Sequence, residues 1–160
     1  MPSRGRIWGG YTVILTIKTQ KMTQTNEKLD PQWIVGFVDG EGCFFVGVIK
    51  NSTMTNGYQI QAEFTVVQHH RDIQVLHALK DYFQCGSVSV NHGDRYHWRV
   101  KNLKNFNEII IPFFEKHKLK TKRRVEFERF RTICLRMGRG EHLTPEGFIE
   151  IRKLAKNLRV

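Results

Sequence analysis

The stretch Asp30-Pro31-Gln32-Trp33-Ile34-Val35-Gly36-Phe37-Val38-Asp39-Gly40-Glu41-Gly42 decides how the rest of this chain is read. Asp30 followed by Pro31 is the order that opens a helix. The aspartate can cap it, and proline suits the first helical position because the amide it lacks would go unbonded there. Apolar residues run on to Val38, and Gly40 and Gly42 bracket Glu41 as the helix ends. Gly36 and Gly40 are four residues apart and share one helix face. Glycine inside a helix costs about 1 kcal/mol relative to alanine, so two on one face point to another backbone in close approach. Asp39 falls in the last turn, and Glu41 is the final polar group before a hydrophobic strand. A carboxylate at a helix C-terminus faces the negative end of the helix dipole, which favours a nearby cation. An isolated Asp-Gly-Glu-Gly is most simply a solvated turn; the residues downstream favour a metal ligand presented at a helix–helix interface.

At 160 residues the chain is long enough for one domain with a real core. The formal net charge of +11 predicts a polyanionic partner, with nucleic acid ahead of an anionic membrane. No apolar span is long enough for a bilayer. Cys43, Cys85 and Cys134 are odd in number and lack metal-type spacing, so they read as reduced core thiols. His69-His70 has no cysteine or carboxylate near it at zinc-finger spacing, which argues against a structural zinc.

Residues 1–27 hold Arg4, Arg6, Lys18 and Lys21 and no acid before Glu27. They read as a basic leader or flexible arm, and residues 28–160 as a single domain. Cys43 to Lys50 is apolar enough for a strand buried on both faces. Asn56-Gly57 marks a turn. The next strand alternates: Tyr58, Ile60, Ala62, Phe64 and Val66 point one way, Gln59, Gln61, Glu63 and Thr65 the other. A helix follows with Ile73, Leu76, Leu79, Tyr82 and Phe83 at helical spacing, ending before Gly86. Two short strands flank His92-Gly93-Asp94; their polar rows are Ser87, Ser89, Asn91 and Arg95, His97, Arg99, Lys101. Cations for phosphate and guanine beside amides for adenine suit a ribbon laid into a DNA groove. Leu103 to His117 reads as a helix with Pro112 near a kink. Lys116 to Arg139 carries ten Lys and Arg against Glu126 and Glu128, a single-sign bias that favours phosphate contact. A last helix opens with Thr144 as cap and Pro145 first in.

The resulting α+β order, αββαββα with extra C-terminal helices, resembles the LAGLIDADG homing endonucleases, with Gly-Phe-Val-Asp-Gly-Glu-Gly closing the first helix. The resemblance covers about Asp30 to Leu158, and its single motif matches the homodimeric branch found in ribosomal-RNA introns. It implies a saddle-shaped antiparallel sheet on double-stranded DNA, and motif helices that pair across a dimer interface through Trp33, Gly36, Phe37 and Gly40. It implies Mg2+, or another divalent cation such as Mn2+, on Glu41 with help from the Gly40 carbonyl. Gln68 matches the family's polar active-site residue and Lys120 its lysine, with Lys118 and Lys122 close in register. The family's basic accessory position falls on Asp72, so Arg71 is the substitute. Val35 replaces a small motif residue, loosening helix contact there, and Glu41 stands where aspartate is commoner. Two Glu41 side chains about 5 Å apart would repel by roughly 3 kcal/mol at an effective dielectric near 20, which bound cations would reverse.

The implied function is a site-specific DNA endonuclease that makes a staggered double-strand cut in intron homing. Base-reading candidates are Gln59, Gln61, Glu63, Thr65, Ser89, Asn91, Arg95, His97, Arg99 and Lys101, with Lys118, Lys122 and Arg123 on phosphates. One alternative is a catalytically inactive binder, such as a regulator or a maturase acting on intron RNA. Another is a basic ribosomal protein, which would not need a glycine-lined helix ending in a carboxylate. Chloroplast or mitochondrion is the expected compartment, bacterial cytoplasm the alternative.

Overall fold

The computed structural model describes residues 28–160; the expected leader or arm at 1–27 lies outside them. Helix α1 spans Pro31–Glu41, and the Asp30 carboxylate caps it, accepting from the Gln32 and Trp33 N–H groups at 2.7 and 3.1 Å. Strands β1 (Gly42–Lys50), β2 (Tyr58–His69), β3 (Ser87–His92) and β4 (Arg95–Val100) form one antiparallel sheet in the order β1-β2-β4-β3. Helix α2 (Ile73–Phe83) connects β2 to β3. After β4 come α3 (Leu103–Asn105), a π-helical stretch Phe106–Ile110, α4 (Ile111–Lys116), α5 (Arg123–Gly138) and α6 (Pro145–Lys156).

One face of the sheet carries the core. Phe44, Ile60, Phe64, Val66, Trp98 and Val100 are buried there against the helices. Phe44 stacks on Phe64 with ring centres 4.7 Å apart, and Phe114, Phe127 and Phe130 from α4 and α5 close around it. The buried Trp98 Nε1–H donates to the Cys85 carbonyl at 2.9 Å. Gly86 sits between them with φ +81°, where a Cβ would meet the indole nitrogen at 2.5 Å, so no side chain fits. Cys85 and Cys134 are buried free thiols, and burial pushes both upward, keeping them protonated. No helix among the described residues is long and apolar enough to cross a membrane.

Three expectations need correction. Strand β1 is not buried on both faces: Phe45 is 45% and Ile49 43% exposed, because β1 is an edge strand of a sheet with one open face. Near Pro112 the helix is irregular: the π-helical stretch Phe106–Ile110 runs directly into α4, where Pro112 lies in the first turn. The basic helix begins only at Arg123, since Lys118–Lys122 form a turn instead. Its cations are also largely answered within the protein. Arg124 pairs with Glu128, Arg131 with Glu115, and Arg136 with both Glu141 and Glu150, which lessens the self-repulsion from which phosphate contact was inferred.

Candidate active site and nucleic-acid interface

Glu41 is the last residue of α1 and is exposed. The chain passes straight from helix into β1 because residue 42 is glycine: a Cβ there would lie 2.7 Å from the Val38 carbonyl oxygen, which the Gly42 N–H already bonds. The last four carbonyls of a helix have no helical partner, and exposed Gly40 carries one of them beside the Glu41 carboxylate. Gly42 pairs with Val66, so Gly40 and Glu41 lie at the same end of the sheet as Gln68. Gln68 is half-buried, paired with Tyr96, and on the face of Val66.

Sequence reasoning gave Asp39 no partner, and the fold supplies one. Its Oδ2 accepts from the Lys120 N–H at 2.8 Å, and its Oδ1 from the Thr121 N–H and hydroxyl at 3.2 and 2.9 Å. Those groups lie 81 and 82 residues downstream, so no local signal could have found them. Helix α5 has Lys122 as its N-cap residue with no side-chain cap of its own. Asp39 therefore orders the turn that leads into it, and pins exposed Lys120 to the end of α1 next to Glu41. Lys118 and Lys122 flank it, both exposed. Arg71 is engaged elsewhere: its backbone N–H and Nε donate to His69 Nδ1 at 3.2 and 3.3 Å. Arg123 is also turned inward, bonding the buried Glu126 carboxylate at 2.7 Å, because a carboxylate that is 2% exposed requires a cation beside it.

The open face of the sheet holds most of the expected reading positions, in altered condition. His97 is 3% exposed, wedged between Ser89 Oγ at 3.0 Å and Asn91 Oδ1 at 3.2 Å. It is thus buried beside β3 and not an exposed reader, and it engages the Ser89 hydroxyl and the Asn91 side-chain oxygen. Burial, with help from Arg99, pushes its pKa down. Glu63 is bracketed by Arg99 at 3.2 Å and Lys101 at 3.6 Å, which neutralises part of the expected cationic row. Gln59 accepts from Asn51 at 2.9 Å. Gln61 and Thr65 are half-buried with no side-chain partner of this kind, and Arg95 is exposed. Missed from the sequence were Phe45 and Ile49, which share this face because their register partners are Glu63 and Gln59. Period-2 alternation was present in β1, but its apolar content masked which side was open.

The second surface is the outer face of α1. Trp33 is 43% exposed and stacks on half-buried Phe37 with ring centres 4.8 Å apart. Gly36 and Gly40 are exposed, and a Cβ on either would meet nothing within 4 Å. Val35 is not on this face: it is 2% exposed, turned into the core with Ile34 and Val38. Its bulk therefore cannot loosen contacts made by the glycine face.

The "LAGLIDADG endonuclease" family model matches residues 34–134. "Probable intron-encoded endonuclease 2" of Neurospora crassa is 35% identical over 125 residues, 77% of this chain and 28% of the relative. A 50.9 kDa protein of ND4 intron 1 in Podospora anserina is 32% identical over 80% of this chain and 29% of its own length. The chain thus spans under a third of these relatives. Among solved structures, the homing endonuclease I-TnaI superposes with a TM-score of 0.80 at 53% identity, over 84% of this chain and 90% of that one. I-SmaMI, bound to uncleaved DNA target in the presence of calcium ions, gives 0.78 at 34% identity over 82% of this chain and 46% of that one. With the family model covering most of the described residues, and its motif residues forming the carboxylate-tipped helix above, this chain belongs to the LAGLIDADG endonuclease family.

Proposed function

We propose that this protein is a site-specific double-strand DNA endonuclease that acts as a homodimer with a divalent cation, Mg2+ or a substitute such as Mn2+. The observation that carries the reading is the meeting of three features at one end of the sheet: the Glu41 carboxylate, the Gln68 end of β2 and the lysine turn held by Asp39. The donor set fits a hard cation, since Glu41 and the Gly40 carbonyl offer oxygen alone. A cation held there supplies Lewis acidity at a phosphate and an activated water.

The chain's own residues account for the rest. Glu41 holds the charge that fixes the cation. Lys120, kept in place through its backbone, neutralises the charge that gathers on the phosphate as its bond breaks. Gln68 orients the attacking water by hydrogen bonding. Gln61, Thr65 and Arg95 read base edges, Phe45 and Ile49 contact thymine methyls, and Lys118 and Lys122 hold phosphates. One protomer serves each half-site, so two cuts give a staggered break. Support for the homodimer comes from the open glycine face of α1 and from lengths: this chain spans 90% of I-TnaI and 46% of I-SmaMI. An organellar setting fits relatives that are intron-encoded, and residues 28–160 act as one domain.

The test is cleavage of a randomised-site DNA library with Mg2+, wild type against Glu41→Gln. Cutting by the wild type with DNA binding retained and cutting lost in Glu41→Gln is the expected result. Binding without cutting by either protein would turn the reading to a regulator or an intron-RNA maturase.

A further inference from the structure

His69 closes β2 and His70 opens the 3-10 turn that follows, so their imidazoles lie together, ring centres 4.4 Å apart and tilted by 44°. The His70 backbone N–H donates to the Asp94 carbonyl at 2.8 Å, tying this turn to the one between β3 and β4. That tie brings a ligating nitrogen from each histidine and a carboxylate oxygen of Asp94 within 4.8 Å of one another. No other trio of histidine, cysteine or acidic side chains gathers in this way among the described residues. The sequence argued against a structural zinc because no cysteine or carboxylate stands at zinc-finger spacing from His69-His70. The hairpin turn provides one from 24 residues away, as the numbering of His70 and Asp94 gives.

We infer that His69, His70 and Asp94 form a binding site for a borderline divalent transition metal, with Zn2+ as its type, separate from the carboxylate at Glu41. Two imidazole nitrogens, a carboxylate oxygen and a water complete a tetrahedron. Ligands at zinc distances lie about 3.4 Å from one another in that geometry, so donors within 4.8 Å of one another close by at most about 1.4 Å. His70 and Asp94 are exposed and can turn without disturbing the core. Nitrogen donors favour zinc, nickel or cobalt over Mg2+, which demands oxygen and keeps its waters.

Two cations oppose the site and set its character. Arg95 is the register partner of His69, and Arg71 donates to His69 Nδ1. The Nδ1 lone pair of His69 is engaged by Arg71, so coordination through that nitrogen displaces the two Arg71 contacts. The two positive neighbours weaken a dication's hold, which Asp94 offsets in part. A bound ion then clips the β3–β4 hairpin to the strand end that bears Gln68.

The inference does not rest on the nuclease reading, and its readout is metal binding. Tag-free wild type, Glu41→Gln, His70→Ala and Asp94→Asn are titrated with Zn2+ by calorimetry, and with Co2+ by its visible tetrahedral bands. The expected result is one zinc per chain in wild type and Glu41→Gln alike, undisturbed by excess Mg2+. Affinity falls roughly tenfold or more in His70→Ala and Asp94→Asn, and the cobalt bands vanish. Both substituted side chains are exposed, and equal melting temperatures without metal confirm that the folds match. No zinc binding by wild type, unchanged binding in both site variants, or loss of binding in Glu41→Gln would each overturn the assignment.

Discussion

Two residues two positions apart in the motif divide the labour. Glu41 reaches solvent with its carboxylate free for a cation, whereas Asp39 spends both oxygens on the Lys120–Thr121 turn. Asp39→Ala removes three hydrogen bonds to a charged acceptor; with solvent nearby the cost is about 1–3 kcal/mol. The expected outcome is a small fall in melting temperature and a larger loss of single-turnover cleavage, with DNA affinity nearly kept. Equal losses of binding and cleavage would mean that Asp39 only stabilises the fold. His97 shows how burial revokes a reading assigned from alternation. Its folded pKa lies below the unfolded value near 6.5, so on acidification the unfolded chain takes up the proton first. Its contribution is therefore present above that pH and is lost as the pH falls through the folded pKa. Melting curves from pH 7.5 to 5 should fall more steeply for wild type than for His97→Gln. His142, also lowered by burial, adds a slope of the same sign to both proteins.

Among the elements, α1 has two faces in different surroundings. Its buried side, Ile34, Val35 and Val38, holds it to the sheet, and its glycine side is open. Gly36→Ala meets no atom within 4 Å in the protomer, so it should stabilise an isolated protomer by up to about 1 kcal/mol through helix propensity alone. The same methyl pushes apart two helices that approach through this face. Sedimentation equilibrium should show weaker self-association while the melting temperature of dilute protein rises; tighter association would remove the glycine face from the dimer. Strand β1 is the element most misjudged from its residues. Cys43 to Lys50 is apolar throughout, yet only the side bearing Phe44 and Val46 is covered. An edge strand can expose Phe45 and Ile49 where a partner surface awaits them.

At the scale of the whole molecule the positive charge is unevenly spent. Of 26 Lys and Arg against 15 Asp and Glu, many on α5 are held by Glu115, Glu126, Glu128, Glu141 and Glu150. The lysines of the 118–122 turn and Arg95 are exposed. A dimer that neutralises six or more phosphates should lose DNA affinity with a log–log salt slope of about −5 or steeper. A slope near zero in a filter-binding series would exclude the sheet as a duplex-binding surface.

What the sequence determined by itself was local. Asp30-Pro31 opened α1 and Thr144-Pro145 opened α6, where Thr144 Oγ1 accepts from the Gly147 N–H at 3.1 Å. Alternation assigned β2, and glycine spacing marked the open helix face, because each of those interactions is made within a few residues of chain. Tertiary structure alone decided which polar residues stay reachable, as with His97, and where distant partners meet, as with Asp39 and Lys120 or His70 and Asp94. Those outcomes depend on strand register and on which sheet face the helices cover. Both are set by the packing of the whole core around Phe44 and Phe64, and no window along the chain contains it.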